Sequence, residues 1–175
     1  MKIEQALKLI RDVPDFPKPG ILFKDITPLL SDGEAFLAVT QKFSTFAQSS
    51  TIIAGIEARG FIFASAVANH LGAGFVPIRK AGKLPYESIS ATYGLEYGDD
   101  ELEIHKDAFK PGDKVLLIDD VLATGGTIGA AIDLIQQIGG EVIHVLALLE
   151  IPGLSGRERI NQLHPQIPIT SFMNS

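Results

Sequence analysis

Two adjacent carboxylates, followed closely by a glycine pair between two threonines, mark the stretch of this chain best suited to chemistry. The run is Val115-Leu116-Leu117-Ile118-Asp119-Asp120-Val121-Leu122-Ala123-Thr124-Gly125-Gly126-Thr127. It reads as a buried strand, an acidic pair, a glycine turn and a helix start. Gly125 and Gly126 let the backbone turn tightly and approach a ligand with no Cβ in the way. The amides of Ala123, Thr124, Gly125, Gly126 and Thr127, the two threonine hydroxyls and the positive helix end suit a phosphate monoester. Two acids aimed at that phosphate would repel it, so Asp119 and Asp120 must face something else. Vicinal ribose hydroxyls fit, bound directly or with magnesium between, and a sugar 5-phosphate then satisfies every group. A Walker A loop is excluded because no lysine follows Gly126, and glycines at 125, 126 and 129 do not make a G-x-G-x-x-G fingerprint.

Cations gather in a second place. Arg79, Lys80 and Lys83 follow the apolar run 74–78, and Arg59 stands just before Gly60 after another such run. A dense cationic loop at a strand end suits a pyrophosphate leaving group, on which charge builds as its bond breaks. Taken alone, the same residues make a solvated basic loop equally well. Glu96 and Tyr97 lie between Gly94 and Gly98, where pattern alone favours an exposed turn. Residues 14–28 are proline-rich and lack any helical or strand period; by pattern they form a surface loop with Phe16 and Phe23 tucked into the core. The histidines at 70, 105, 144 and 164 are too scattered for a local metal motif and read as structural.

The elements that must position these groups follow from periodicity. Short apolar runs at 51–56, 74–78, 115–118 and 142–149 predict buried strands, and 58–71 and 127–138 predict helices closed by Gly72 and by Gly139-Gly140. Ser31-Asp32-Gly33-Glu34 has the capping-box form, with Phe36, Leu37, Phe43 and Phe46 expected on one helix face. Ile3, Leu7 and Ile10 lie at helical spacing. Residues 81–106 alternate poorly and are expected to form a mobile loop or hairpin rather than core. Apolar strands alternating with amphipathic helices indicate an α/β fold, with a mostly parallel central sheet covered on both faces. Ligands of such sheets bind beyond the carboxyl ends of the strands.

A chain of 175 residues with 46% hydrophobic and 21% charged residues is expected to form one domain. The net charge of −6 argues against nucleic acid as a partner, and the lack of cysteine excludes disulfides and thiolate metal sites. No apolar run is long enough to span a bilayer and residues 1–12 do not resemble a signal peptide, so no membrane partner and a cytoplasmic location are expected.

The phosphate segment resembles the phosphoribosyl pyrophosphate motif of the type I phosphoribosyltransferases. The remainder resembles their adenine-specific branch, through Pro14-Asp15-Phe16-Pro17-Lys18-Pro19-Gly20-Ile21-Leu22-Phe23-Lys24-Asp25-Ile26-Thr27-Pro28, Gly55-Ile56-Glu57-Ala58-Arg59-Gly60-Phe61, Pro77-Ile78-Arg79-Lys80-Ala81-Gly82-Lys83-Leu84-Pro85, Leu95-Glu96-Tyr97-Gly98 and Leu102-Glu103-Ile104-His105. These matches run in order over nearly the whole chain. The resemblance implies transfer of phosphoribose from phosphoribosyl pyrophosphate to adenine, with Mg2+ as cofactor and a homodimer as the assembly. It makes residues 1–30 a hood over the base, in which Leu22 and Lys24 meet the adenine edge through backbone groups. Phe23 and Ile151 would pack on its two faces. It places Arg59, Arg79, Lys80 and Lys83 on pyrophosphate, and Glu96 and Tyr97 on a catalytic lid within about 81–106, with Glu96 as the acid-base residue. It also implies a non-proline cis peptide at Ala58–Arg59. A transferase for xanthine or hypoxanthine, and a non-catalytic regulator that senses phosphoribosyl pyrophosphate, remain as alternatives.

Overall fold

A computed structural model describes residues 1–47, 49–95 and 98–174. It divides into two compact units, Met1–Thr45 and Phe46–Ser175. The first unit begins with a short helix α1 (Ile3–Ala6) and a single 3-10 turn at Leu7–Leu9. An antiparallel pair follows, β1 (Arg11–Pro14) and β2 (Leu22–Asp25), with Arg11 opposite Asp25 and Pro14 opposite Leu22. The sequence hides this hairpin because each strand sets two adjacent charged residues beside two apolar ones rather than alternating apolar with polar. Cross-strand ion pairs take the place of a buried face: Arg11 to Asp25 at 2.5 Å and Lys24 to Asp12 at 2.7 Å. Phe16, expected in the core, is 51% exposed and stands edge-on to Phe23 at 5.2 Å between centroids. The Phe16–Pro17 peptide is cis.

Two helices complete this unit, α2 (Thr27–Ser31) and α3 (Gly33–Ser44). The cap of α3 is Asp32, not Ser31: its carboxylate accepts the Ala35 N–H at 2.9 Å. The buried face of α3 is Ala35, Ala38, Val39, Thr40 and Phe43, whereas Leu37 is 50% exposed. The expected aromatic face is therefore corrected to a narrower stripe of small residues ending on Phe43.

The second unit contains β3 (Ile52–Ile56), α4 (Arg59–Leu71), β4 (Gly74–Lys80), β5 (Ser88–Leu95), β6 (Gly98–His105), β7 (Lys114–Leu122), α5 (Gly126–Gln137), β8 (Glu141–Glu150), α6 (Gly156–Leu163) and β9 (Ile169–Ser171). Among the described residues these strands form one sheet in the order β5-β6-β4-β3-β7-β8-β9. It is parallel from β4 through β9, with β6 and β5 added antiparallel at one edge. The crossover from β3 through α4 runs outward in one direction and that from β7 through α5 in the other. Right-handed connections then place the two helices on opposite faces. Accordingly, Ile128, Ala131, Ile132 and Ile135 of α5 join a cluster with Ala54, Val115, Leu117 and Val145, while Ile53, Leu116, Ile118, Phe63 and Val67 are also buried. The α/β architecture with a mostly parallel sheet covered by helices is thus present, and its topological switch lies between β3 and β7, where a ligand crevice is expected.

Three expectations need correction. Strand β7 runs on to Leu122, so Asp119 and Asp120 belong to the strand itself; pairing with β8 continues through Asp119 opposite Ala147 and Leu122 opposite Glu150. Strands β5 and β6 pair antiparallel with Tyr93, Leu102 and Ile104 buried in the core, so the stretch 81–106 is not wholly outside it. Alternation is present there (Ile89, Ala91, Tyr93 against Leu102, Ile104), but glycines and acids at the tip obscure it. The non-proline cis peptide is Glu57–Ala58, one residue earlier than expected. Among the described residues no helix is long and apolar enough to cross a membrane.

Candidate active site

The carboxyl end of β7 carries the chemistry that the sequence singles out. Asp119 and Asp120 are 8% and 6% exposed. Burial raises the pKa of Asp119 well above the usual carboxylate range, and the neighbouring Asp120 charge raises it further. Burial also raises that of Asp120, against the pull of the Arg59 cation. Arg59, the first residue of α4, places its Nε 2.7 Å from Asp120 Oδ2. That oxygen is buried and receives no hydrogen bond from the described residues.

Gly60 explains how α4 comes so close. A Cβ there would stand 2.9 Å from both Asp119 Oδ1 and Ile118 O, so any side chain would push the helix off the strand. Beyond β7, Gly125 turns the chain with φ +77° and α5 begins at Gly126. Val121, Ala123, Thr124, Gly125, Thr127 and Ile128 line a small cup at this helix start. Early helix amides lack intrahelical acceptors and converge with the helix dipole on such a cup.

The cations are organised by a residue to which the sequence reading gave no role. Glu57 Oε1 accepts from Lys83 Nζ at 2.5 Å, and Oε2 accepts from the Lys80 backbone N–H at 3.0 Å and Arg79 Nε at 3.3 Å. Burial opposes its ionisation, but these donors outweigh burial and hold its pKa at about 2. Lys80 Nζ takes a different acid, Asp100, and lies 2.6 Å from the Tyr93 hydroxyl, which itself donates to Asp100 at 2.9 Å. Arg79, Lys80 and Lys83 are therefore brought together at the end of β4, each already engaged with an acid. Arg79 and Lys80 lie within the strand, not after it. The only local signal for Glu57 was an acid just before Ala58-Arg59, and its partners lie more than twenty residues away.

Ile151 follows β8, and its N–H donates to Leu122 O at 2.9 Å, tying it to the strand that bears the acids. Leu22, Phe23 and Lys24 belong to the first unit. There Leu22 is half exposed, and Phe23 lines an apolar cleft with Val13, Phe16 and Asp25. Glu96 and Tyr97 fall outside the described residues. Among the described residues no group of three or more His, Cys, Asp or Glu is placed to hold a metal ion. His144 instead contacts the Thr170 hydroxyl at 2.8 Å, and His164 Nε2 lies 3.3 Å from Asp133.

Comparison with known proteins adds a consistent set of relatives. The phosphoribosyl transferase domain family matches residues 30–165. Adenine phosphoribosyltransferase of Halothermothrix orenii is 56% identical over 155 residues, 87% of this chain and 91% of that protein. The crystal structure of adenine phosphoribosyltransferase from Thermoanaerobacter pseudethanolicus is 45% identical with a TM-score of 0.92, covering 99% of this chain and 100% of that one. The enzyme from Giardia lamblia complexed with 9-deazaadenine is 42% identical with a TM-score of 0.91, covering 100% and 98%.

Proposed function

Because this chain belongs to the phosphoribosyl transferase domain family, in its adenine phosphoribosyltransferase branch, we propose that its residues divide the transfer of phosphoribose to adenine as follows. The amides of Ala123, Thr124, Gly125, Gly126 and Thr127 hold the 5-phosphate of phosphoribosyl pyrophosphate, and Asp119 and Asp120 accept from its ribose hydroxyls. Arg59, Arg79, Lys80 and Lys83 take the pyrophosphate. Glu57 belongs with them as the acid that positions Arg79 and Lys83.

As the C1′–O bond loosens, positive charge develops on the ribosyl centre and negative charge on the leaving group, and the clustered cations favour that separation. Adenine N9 attacks from the opposite face, so C1′ inverts. Leu22 and Lys24 offer backbone groups to the adenine edge, with Phe23 and Ile151 as apolar surfaces. A carbonyl and N–H pair matched to adenine leaves both groups unsatisfied with guanine or hypoxanthine, at about 1–3 kcal/mol each. Glu96, with Tyr97, manages the purine proton in a lid formed within 81–106.

Asp119 and Asp120, the latter already paired with Arg59, would hold a magnesium ion through water rather than by direct ligation. When bound with substrate, Mg2+ supplies neutralisation of the pyrophosphate charge. The reading includes a homodimer, which light scattering would test, acting in the cytoplasm in purine salvage.

The observation that carries this reading is the buried acid pair at the end of β7, running straight into a glycine-opened helix. The test is AMP formation from phosphoribosyl pyrophosphate and Mg2+ with adenine, guanine, hypoxanthine or xanthine supplied singly. Product with adenine alone is expected. Product with another base would overturn the roles of Leu22 and Lys24, and binding of phosphoribosyl pyrophosphate without any product would point to a sensor.

A further inference from the structure

The turn at Gly125 is supported from outside. A Cβ on Gly125 would stand 2.6 Å from Gly156 O, while a Cβ on Gly156 would stand 2.1 Å from Ala123 O and 2.7 Å from Gly125 N. Two backbone segments far apart in sequence therefore touch with no room for a side chain between them. Gly156 is buried and is the first residue of α6; Ser155 before it sits at φ +54°. Arg157 after it anchors the turn. Its guanidinium pairs with Glu150 at the end of β8, with Nε 3.0 Å from Oε1, and donates to Ile169 O at 2.8 Å and Ser171 Oγ at 3.0 Å. Ser171 Oγ in turn donates to Glu150 Oε2 at 2.6 Å.

Backbone amides bind an anion well only if their directions are fixed before it arrives, since ordering a loop on binding costs affinity. A loop built on Gly125 and Gly126 is intrinsically free to adopt other conformations. Its constraint must come from neighbours: Tyr93 and Gly94 of β5 lie against Gly126, and the first turn of α6 meets Ala123 and Gly125 backbone to backbone.

We propose that Gly156 is a positioning residue for the phosphate loop: the first turn of α6, locked to β8 and β9 through Arg157, backs Ala123 and Gly125 and sets where the loop amides point. This rests on the reading of residues 123–127 as the 5-phosphate site. Having no side chain, Gly156 acts through the loop.

The test titrates ribose 5-phosphate, a probe lacking both base and pyrophosphate, into the full chain by calorimetry, alongside steady-state KM values for both substrates. Gly156→Ala is expected to weaken ribose 5-phosphate at least tenfold and to raise KM for phosphoribosyl pyrophosphate in parallel. KM for adenine should stay within threefold and the circular dichroism spectrum should be unchanged. Arg157→Lys, which keeps Gly156 but replaces the planar fork by a point charge, is expected to weaken the probe three- to fivefold. It carries the test should Gly156→Ala fail to fold. Ribose 5-phosphate affinity within twofold of wild type in folded Gly156→Ala, or otherwise in Arg157→Lys, would overturn the proposal, as would a uniform rise in both KM values together with a fall in melting temperature. Thr127→Val separates the two readings: if it also leaves the probe's affinity untouched, the loop is not the phosphate site and that assignment fails first.

Discussion

At Glu57 one carboxylate gathers donors from Arg79, Lys83 and the Lys80 backbone. Hydrogen bonds to an ionised acceptor are worth about 1.5–3 kcal/mol, against about 1 for neutral pairs. Glu57→Gln keeps the shape and removes the charge, so it is expected to lower stability by about 1–2 kcal/mol at neutral pH, read from urea unfolding; an unchanged midpoint would contradict the clamp. Gly60 acts by what it lacks. Its missing Cβ lets the start of α4 lie against Ile118 O and Asp119, and Gly60→Ala is expected to cost about 1–3 kcal/mol of stability as the helix shifts. Unfolding curves check this, and full wild-type stability would mean that α4 can move aside freely. Neither role is legible in a linear sequence. Glu57 is one acid among many, and a close approach between a helix and a distant strand leaves no local pattern.

Among the elements, the buried strands β3, β7 and β8 were legible as continuous apolar runs, because both faces of the parallel sheet are covered; β4 was legible as a strand too, although only its Ile78 is buried. Their ends were less so. Strand β7 keeps pairing with β8 through Asp119, since the backbone ladder does not depend on the side chain becoming polar. The β1–β2 hairpin escaped notice because Arg11, Asp12, Lys24 and Asp25 leave it without an apolar period. The β5–β6 hairpin appeared looser than it is. Leu102 of β6 is fully buried, and Leu102→Ala is expected to destabilise by about 2–5 kcal/mol, measurable as a drop in melting temperature. A change within about 0.5 kcal/mol would mean that the hairpin contributes little to the core.

For the molecule as a whole, acid should expose the carboxylates that the fold depends on. The Glu57 pKa falls from 4.5 to about 2, and hydrogen bonds from the Thr27 hydroxyl and backbone and from Arg11 hold Asp25 at about 2 against 3.8. A depressed folded-state pKa gives stability that is complete above the unfolded value and is lost as pH falls through the folded one. The stability difference between wild type and Glu57→Gln should therefore be constant above about pH 5 and shrink toward pH 2. Urea midpoints from pH 7 to 2 test it, and a difference that stays constant down to pH 2 would contradict it. Asp119 works in the opposite sense: its raised pKa means that ionisation costs the fold, and protonation on acidification offsets part of the loss. Glu57 has one more consequence, which concerns how quickly the enzyme is emptied. On the proposed assignment, the cations that grip pyrophosphate already share a carboxylate, so their hold on the departing product is tempered and a counter-charge stands ready to reclaim them. On that assignment turnover gains from an acid that loosens the site's grip, and Glu57→Gln should make pyrophosphate a tighter product inhibitor as release slows.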